Sequence, residues 1–299
     1  MIRNRAGAVR YAARWGLALA GGLAMMGCGP AVTFRPDPRL VPQPLPTIFR
    51  DDDWAAVLRD FVRDGLVDYD GLAARRDPLD RYYALISYMG PTQAPDQFTT
   101  RQDRMAYYIN AYNALTLLVV LQDPSRATLY DIMMPRYQSS ATFQLDRSVI
   151  TLDGIEDRLR QEAAGDVRVI FALSRAALGG PVLASEPYRG GLLDRQLEHA
   201  AAAALDNPFL LQIHHDQHVI LVWEEILWRR DEFLAWWEAR RRTRPPGLLS
   251  VLLDLASPRR REALNSAVGY AIRPMPFDRR LNRWRGPAGA AVLPKGPAS

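Results

Sequence analysis

The 299-residue sequence predicts an α+β fold: a single helix-rich domain in which a small, mainly antiparallel sheet packs around a central buried helix. Three observations carry this expectation. Residues 101–121 form the longest strongly patterned segment, with Met105, Tyr108, Ile109, Tyr112, Leu115 and Val119 at three- and four-residue spacing and a last turn that is apolar nearly all round. Helical periodicity recurs on both sides of it. The remaining apolar runs are short and shift toward period two, which suits a few small strands.

Both ends of the central helix are marked. Thr99 with Gln102 supplies a capping-box start, and Asp123-Pro124 supplies the stop, because proline cannot continue the backbone ladder. Asn110 and Asn113 lie three apart inside it and so share a face, although asparagine is a poorer helix former than alanine by about 0.6 kcal/mol. Two readings follow. Their amides satisfy neighbouring backbone, as buried polar groups generally do, or they face a ligand pocket.

The formal charge of +5 points only superficially to nucleic acid. Arg3, Arg5, Arg10 and Arg14 supply four of those charges, so removing residues 1–27 leaves +1 (5 − 4). Lys295 is the only lysine, a bias that does not resemble a selected phosphate-binding surface, and no nucleic-acid partner is expected. Residues 1–27 combine this arginine-bearing start with an apolar run from Trp15 to Met26, too short to span a bilayer, and read as a signal peptide. Met25-Met26-Gly27-Cys28 resembles a bacterial lipobox, with Met25 in place of the usual leucine; it makes Cys28 the expected lipidation site and the membrane a partner. The expected location is the bacterial cell envelope, lipid-anchored, at the outer membrane and facing the periplasm. Cys28 is also the only cysteine, so the mature domain can form no internal disulfide and no thiolate metal site.

Residues 28–50, with six prolines from Pro30 to Pro46, predict an extended, semi-rigid tether. The folded domain is expected over 51–282. Asp51–Asp53 cap a helix carrying Trp54, Val57, Leu58, Phe61 and Val62 to Gly65; residues 66–69 read as extended; and Leu79, Tyr82, Tyr83, Leu85, Ile86 and Met89 continue a helix to Gly90-Pro91. After the central helix, Phe143, Leu145 and residues 149–151 suggest two strands around an Asp146-Arg147 turn. Asp153 with Glu156 opens another helix, and the continuous apolar run 167–173 predicts a buried strand. A helix over 192–205, strands over 209–213 and 219–222, one aromatic-rich helix over 223–242, short helices over 248–255 and 261–266, and a strand over 268–272 complete the domain, with 283–299 as a low-complexity tail.

Chemistry-bearing residues are sparse. His214, His215 and His218 could chelate a metal if a turn aimed them together, but a hairpin tip is a mobile platform, and neither a metal nor any other cofactor is expected. His199 falls on the polar face of its helix. Ser174 is the best-placed hydroxyl, yet its surroundings lack the G-x-S-x-G elbow of serine hydrolases. Glu224, Glu225 and Asp231 open an amphipathic helix, where carboxylates usually face solvent.

Several segments resemble the family known as domain of unknown function 547: W-x-x-V-L-x-x-F-V-x-x-G-L-V-D-Y from Trp54 to Tyr69, Y-I-N-A-Y-N-A-L-T from Tyr108 to Thr116, T-L-D-G-I-E from Thr151 to Glu156, residues 168–181, Pro187-Tyr188, Ile226 to Phe233, and Phe277-Asp278 with Leu281-Asn282. They run in the family's order across residues 51–282. The resemblance implies an α+β domain, distantly similar to papain-like or transglutaminase-like folds, with thiol chemistry. Typical members resemble R-[IV]-H-F-A-L-x-C-x-A-x-S-C-P where this chain has Ile170 for the histidine and Arg175 and Gly180 for the cysteines. Arg168 persists, with Glu156 as its expected partner.

Two functions follow. One is a non-catalytic binding or scaffolding domain that takes an unknown small-molecule or protein ligand. The other is a hydrolase or transferase acting through Ser174 or cleft carboxylates. The residues expected at the cleft, in either a binding or a structural role, are Asn110, Asn113, Glu156, Arg168, Ser174, Arg175, Tyr188, Glu225 and Asp278.

Overall fold

A computed structural model describes residues 32–128 and 140–286. In chain order these contain β1 (Thr33–Phe34), α1 (Asp52–Phe61), β2 (Val62–Arg63), β3 (Leu66–Val67), α2 (Tyr69–Ala74), α3 (Asp77–Tyr88) and α4 (Arg101–Val120). Next come β4 (Thr142–Leu145), β5 (Ser148–Thr151), α5 (Leu152–Ala163), α6 (Leu193–Asp206), β6 (Leu211–His214), β7 (Val219–Trp223), α7 (Glu224–Trp228), α8 (Arg230–Arg241), α9 (Leu248–Leu255), α10 (Pro258–Asn265) and β8 (Ala271–Met275). The α+β class holds. The strands form three small sheets, not one: β1-β4-β5, β2-β3 and β6-β7-β8. They are mixed, since β1 runs parallel to β4 and β8 parallel to β7.

The central helix is α4, and every residue from Met105 to Val120 is buried. Its capping box uses Thr100 and Asp103, one residue on from the expected pair: the Asp103 amide donates to the Thr100 hydroxyl at 3.0 Å while the Thr100 amide donates to the Asp103 carboxylate at 3.1 Å. Helix α5 packs along α4, α3 covers another side, and α1 packs on α3. The β4–β5 turn places Asp146 and Arg147 at φ 50° and 59°, as a two-residue hairpin of this hand requires. Asp146 is buried because its carboxylate accepts from the Thr92 and Gln93 amides at 2.6 and 3.0 Å.

Four expectations are corrected. Residues 33–49 are not a free tether: Phe34 stacks on Phe143 at 4.8 Å, the Tyr83 hydroxyl donates to the Phe34 carbonyl, and the Phe49 ring meets Phe98 and Tyr107 edge-on. The run 167–173 is a 3-10 helix over Val167–Ala172, because the Asp166 and Asn113 side chains serve its backbone in place of a neighbouring strand. The helix expected over 223–242 divides at Arg229 into α7 and α8. The last strand starts at Ala271, since Gly269 takes φ 89°. The segment 277–284 straps across the loop that follows the 3-10 helix: the Leu178, Gly179 and Asn282 amides donate to Arg280, Asp278 and Ala176 carbonyls. Arg283 and Trp284 then pair with β3, which carries the domain past the expected boundary at 282. Cys28, the expected signal segment and residues 287–299 lie outside the described residues.

Candidate functional site

The site grows from α4. Asn113 donates to the Ala172 carbonyl at 2.9 Å and accepts from the Ser174 amide at 2.8 Å, pinning the start of the 173–181 loop to the helix. One turn above, Asn110 donates to the Tyr188 carbonyl at 2.8 Å and accepts from the Tyr188 amide at 2.9 Å and from the Trp54 indole at 3.3 Å. Both amides therefore serve backbone of the end of the 3-10 helix and of the segment that follows it.

This anchoring delivers Arg175 into a buried cluster. Its guanidinium donates to the Tyr112 hydroxyl at 2.5 Å, to Glu156 through both nitrogens, and to Glu225 at 3.2 and 3.3 Å. It also lies over the Tyr112 ring at 5.6 Å. Arg229, one turn after Glu225, donates to that carboxylate at 3.1 Å. The side chains of Arg175, Glu156 and Glu225 are 9, 13 and 12% exposed, so two cations face two carboxylates with little water between them. Burial alone would raise the Glu156 carboxyl, but the Arg175 guanidinium and the Tyr112 hydroxyl outweigh it and hold the group below its ordinary value. Burial would likewise lower Arg175; Tyr112, Glu156 and Glu225 overcome it and raise the group.

The expected Glu156–Arg168 pair does not form. Arg168 turns toward α6, donating to Asp166 at 2.7 Å and Asp194 at 2.6 Å, because Asp166 caps the 3-10 helix two residues before it and is already aligned. Arg175 takes Glu156 instead. Ser174 is buried, and its hydroxyl accepts from the Ala176 amide at 3.3 Å without a histidine or carboxylate partner among the described residues. Asp278 is remote from the cluster in bonding terms: it pairs with Arg280 on the strap, whose guanidinium lowers its carboxyl. The histidines have other partners, with His214 bonded to Gln212, His215 to Tyr270, and His218 packed on the Tyr270 ring at 4.8 Å. Among the described residues no group of three or more histidine, cysteine or acidic side chains could hold a metal ion.

Position 180 is packed against residue 175. A Cβ built on Gly180 would come within 2.8 Å of the Arg175 Cβ, so the loop folds back on residue 175 too closely for a side chain at 180. Ile170 lines a cavity of about 40 Å³ beside Glu156 and Arg229, room for a water molecule or two. Tyr112 and Asn282 are visible in the sequence as a core position and a family-like segment, but neither they nor Arg229 are among the residues expected at the site. The Glu225–Arg229 spacing of four was the one available signal. Asn282 accepts from the Tyr69 hydroxyl at 2.6 Å and donates to the Gly65 carbonyl, contacts across more than two hundred residues that no local pattern reports.

A second feature is an open cleft of about 1090 Å³ between the β2–β3 turn, residues 182–186 and α6. Of the expected residues only Tyr188 lines it, and burial raises its phenol. His199 also faces it from α6.

Residues 95–203 match the family model described as "Protein of unknown function, DUF547", which supports that domain family for the segment carrying α4, α5, the Arg175 loop and most of α6. No curated protein and no solved structure matches the chain, so the likeness to papain-like or transglutaminase-like folds gains no support.

Proposed function

We propose that this chain is a lipid-anchored protein of a bacterial cell envelope, held through Cys28 at the outer membrane and facing the periplasm, whose domain binds a small-molecule or protein ligand without catalysing a reaction on it. The Arg175 cluster is the observation that carries the non-catalytic part. Nucleophilic or acid–base catalysis needs a group free to attack or to exchange a proton with substrate. At the position where the resembled family has cysteine, this chain has a guanidinium whose donors are committed to Glu156, Glu225 and Tyr112. The carboxylates are committed in return. Ser174 has no base beside it among the described residues. The cleft beside α6, with its apolar floor, supplies the room a ligand needs.

Two results test this reading. Mass spectrometry of the protein from its native host should find an acylated Cys28 at the mature N-terminus; cleavage elsewhere, with free protein in the periplasm, would remove the anchor. Thiol-directed probes should leave the folded domain unlabelled, and peptide and ester substrates should remain intact. Hydrolysis that disappears in a folded Ser174→Ala variant would establish a hydrolase in place of a binding protein.

A further inference from the structure

We infer that the cleft beside α6 is a docking site for an extended polypeptide segment, which adds as a strand along residues 182–184. The inference rests on the non-catalytic binding reading and names the class of ligand. The wall formed by residues 182–186 is the observation behind it. Among the described residues, no backbone N–H or carbonyl of this run is hydrogen-bonded to another group of the protein. Residues 181–184 are neither helix, turn nor bend, whereas Ser185 and Glu186 form a bend, so the edge is extended over 182–184 and turns away after it. Its side chains alternate in the manner of a half-covered strand, with Leu183 buried and Val182 and Ala184 half-buried. Backbone groups left without a protein partner along an extended edge are a template for another chain, because a strand can pair with them in place of water.

The opposite wall fits such an occupant. Ala200 and Ala203 on α6 keep it low, while Val62 and Leu183 supply apolar floor for alternate side chains of an incoming strand. From Arg195 to Asp206 this wall runs about 16 Å at the helical rise, the length of about five strand residues. Arg195 on one side and Glu186 on the other have no ion-pair partner among the described residues, so a segment bearing both charges finds a complement on each rim. A lipid chain would fill the floor but leave the backbone edge unused. A peptide uses both.

The probe is a fluorescein-labelled hexapeptide of alternating valine and threonine, titrated by fluorescence anisotropy with the full chain. It should bind saturably, and the same peptide N-methylated at alternate residues should bind at least about tenfold more weakly, because it keeps its side chains and loses donors on one edge. Ala203→Trp, which fills the cleft from α6, should weaken the parent peptide by about tenfold with an unchanged circular dichroism melt. Equal binding of the parent and N-methylated peptides would overturn the strand-addition model, as would absence of peptide binding, wild-type affinity in folded Ala203→Trp, or binding of laurate alone. Cleavage of the peptide would defeat the non-catalytic reading; an intact peptide that fails to bind defeats only this inference.

Discussion

Arg175→Met should cost about 3–5 kcal/mol of stability near neutral pH, since the variant leaves Glu156 buried without the cation bonded to it, while Glu225 keeps Arg229. The pH dependence identifies the cause. In the native chain the Glu156 carboxyl titrates below its ordinary value, so it contributes stability that is present above that value and lost as pH falls through the folded one. Without the guanidinium, burial becomes the dominant influence and raises Glu156. The variant is then most stable below the ordinary carboxyl value and loses stability as pH rises through the new folded one. Urea denaturation of both proteins between acidic and neutral pH should therefore give a gap that narrows toward the acid end. A gap that stays constant with pH would show that Arg175 contributes through packing instead of charge. Arg175→Met with Glu156→Leu should recover much of the loss, because an apolar pair of similar volume avoids the desolvation that a lone carboxylate suffers.

Which features were legible follows from how local their causes are. Helix α4 was legible because its period and composition agree over 20 residues. The run 167–173 was not, since an apolar stretch of that length has the same composition in a strand or a tight helix; the choice was made by Asn113, which reaches Ala172 and Ser174 from far away in sequence. The same distance hid the exchange of partners. Arg168 and Glu156 are both visible as charges, but Asp166, Asp194 and Arg175 decide how they pair. The segment 33–49 reads as a tether from its prolines, although two aromatic residues, Phe34 and Phe49, suffice to hold it down. Composition averages over such anchors. Cleft walls are the least legible of all: residues 182–186 carry no motif, and their interest lies in hydrogen bonds they do not make.

Asn110→Leu should be the most damaging change on the face of α4 that holds the loop, lowering stability by about 3 kcal/mol or more. The side chain serves three buried groups at once: the amide and carbonyl of Tyr188 and the indole of Trp54. Leucine nearly conserves the volume but meets none of them, and a buried donor or acceptor left unpaired costs about 1–3 kcal/mol. Asn113→Leu strands two groups, the Ala172 carbonyl and the Ser174 amide, and should cost less. Thermal and urea midpoints should fall in that order. The Tyr188 backbone is what Asn110 holds in place, and Tyr188 lines the cleft, so any loss of peptide binding in these variants should track their loss of stability. Unchanged melting combined with lost binding would make Asn110 a ligand contact and not a brace.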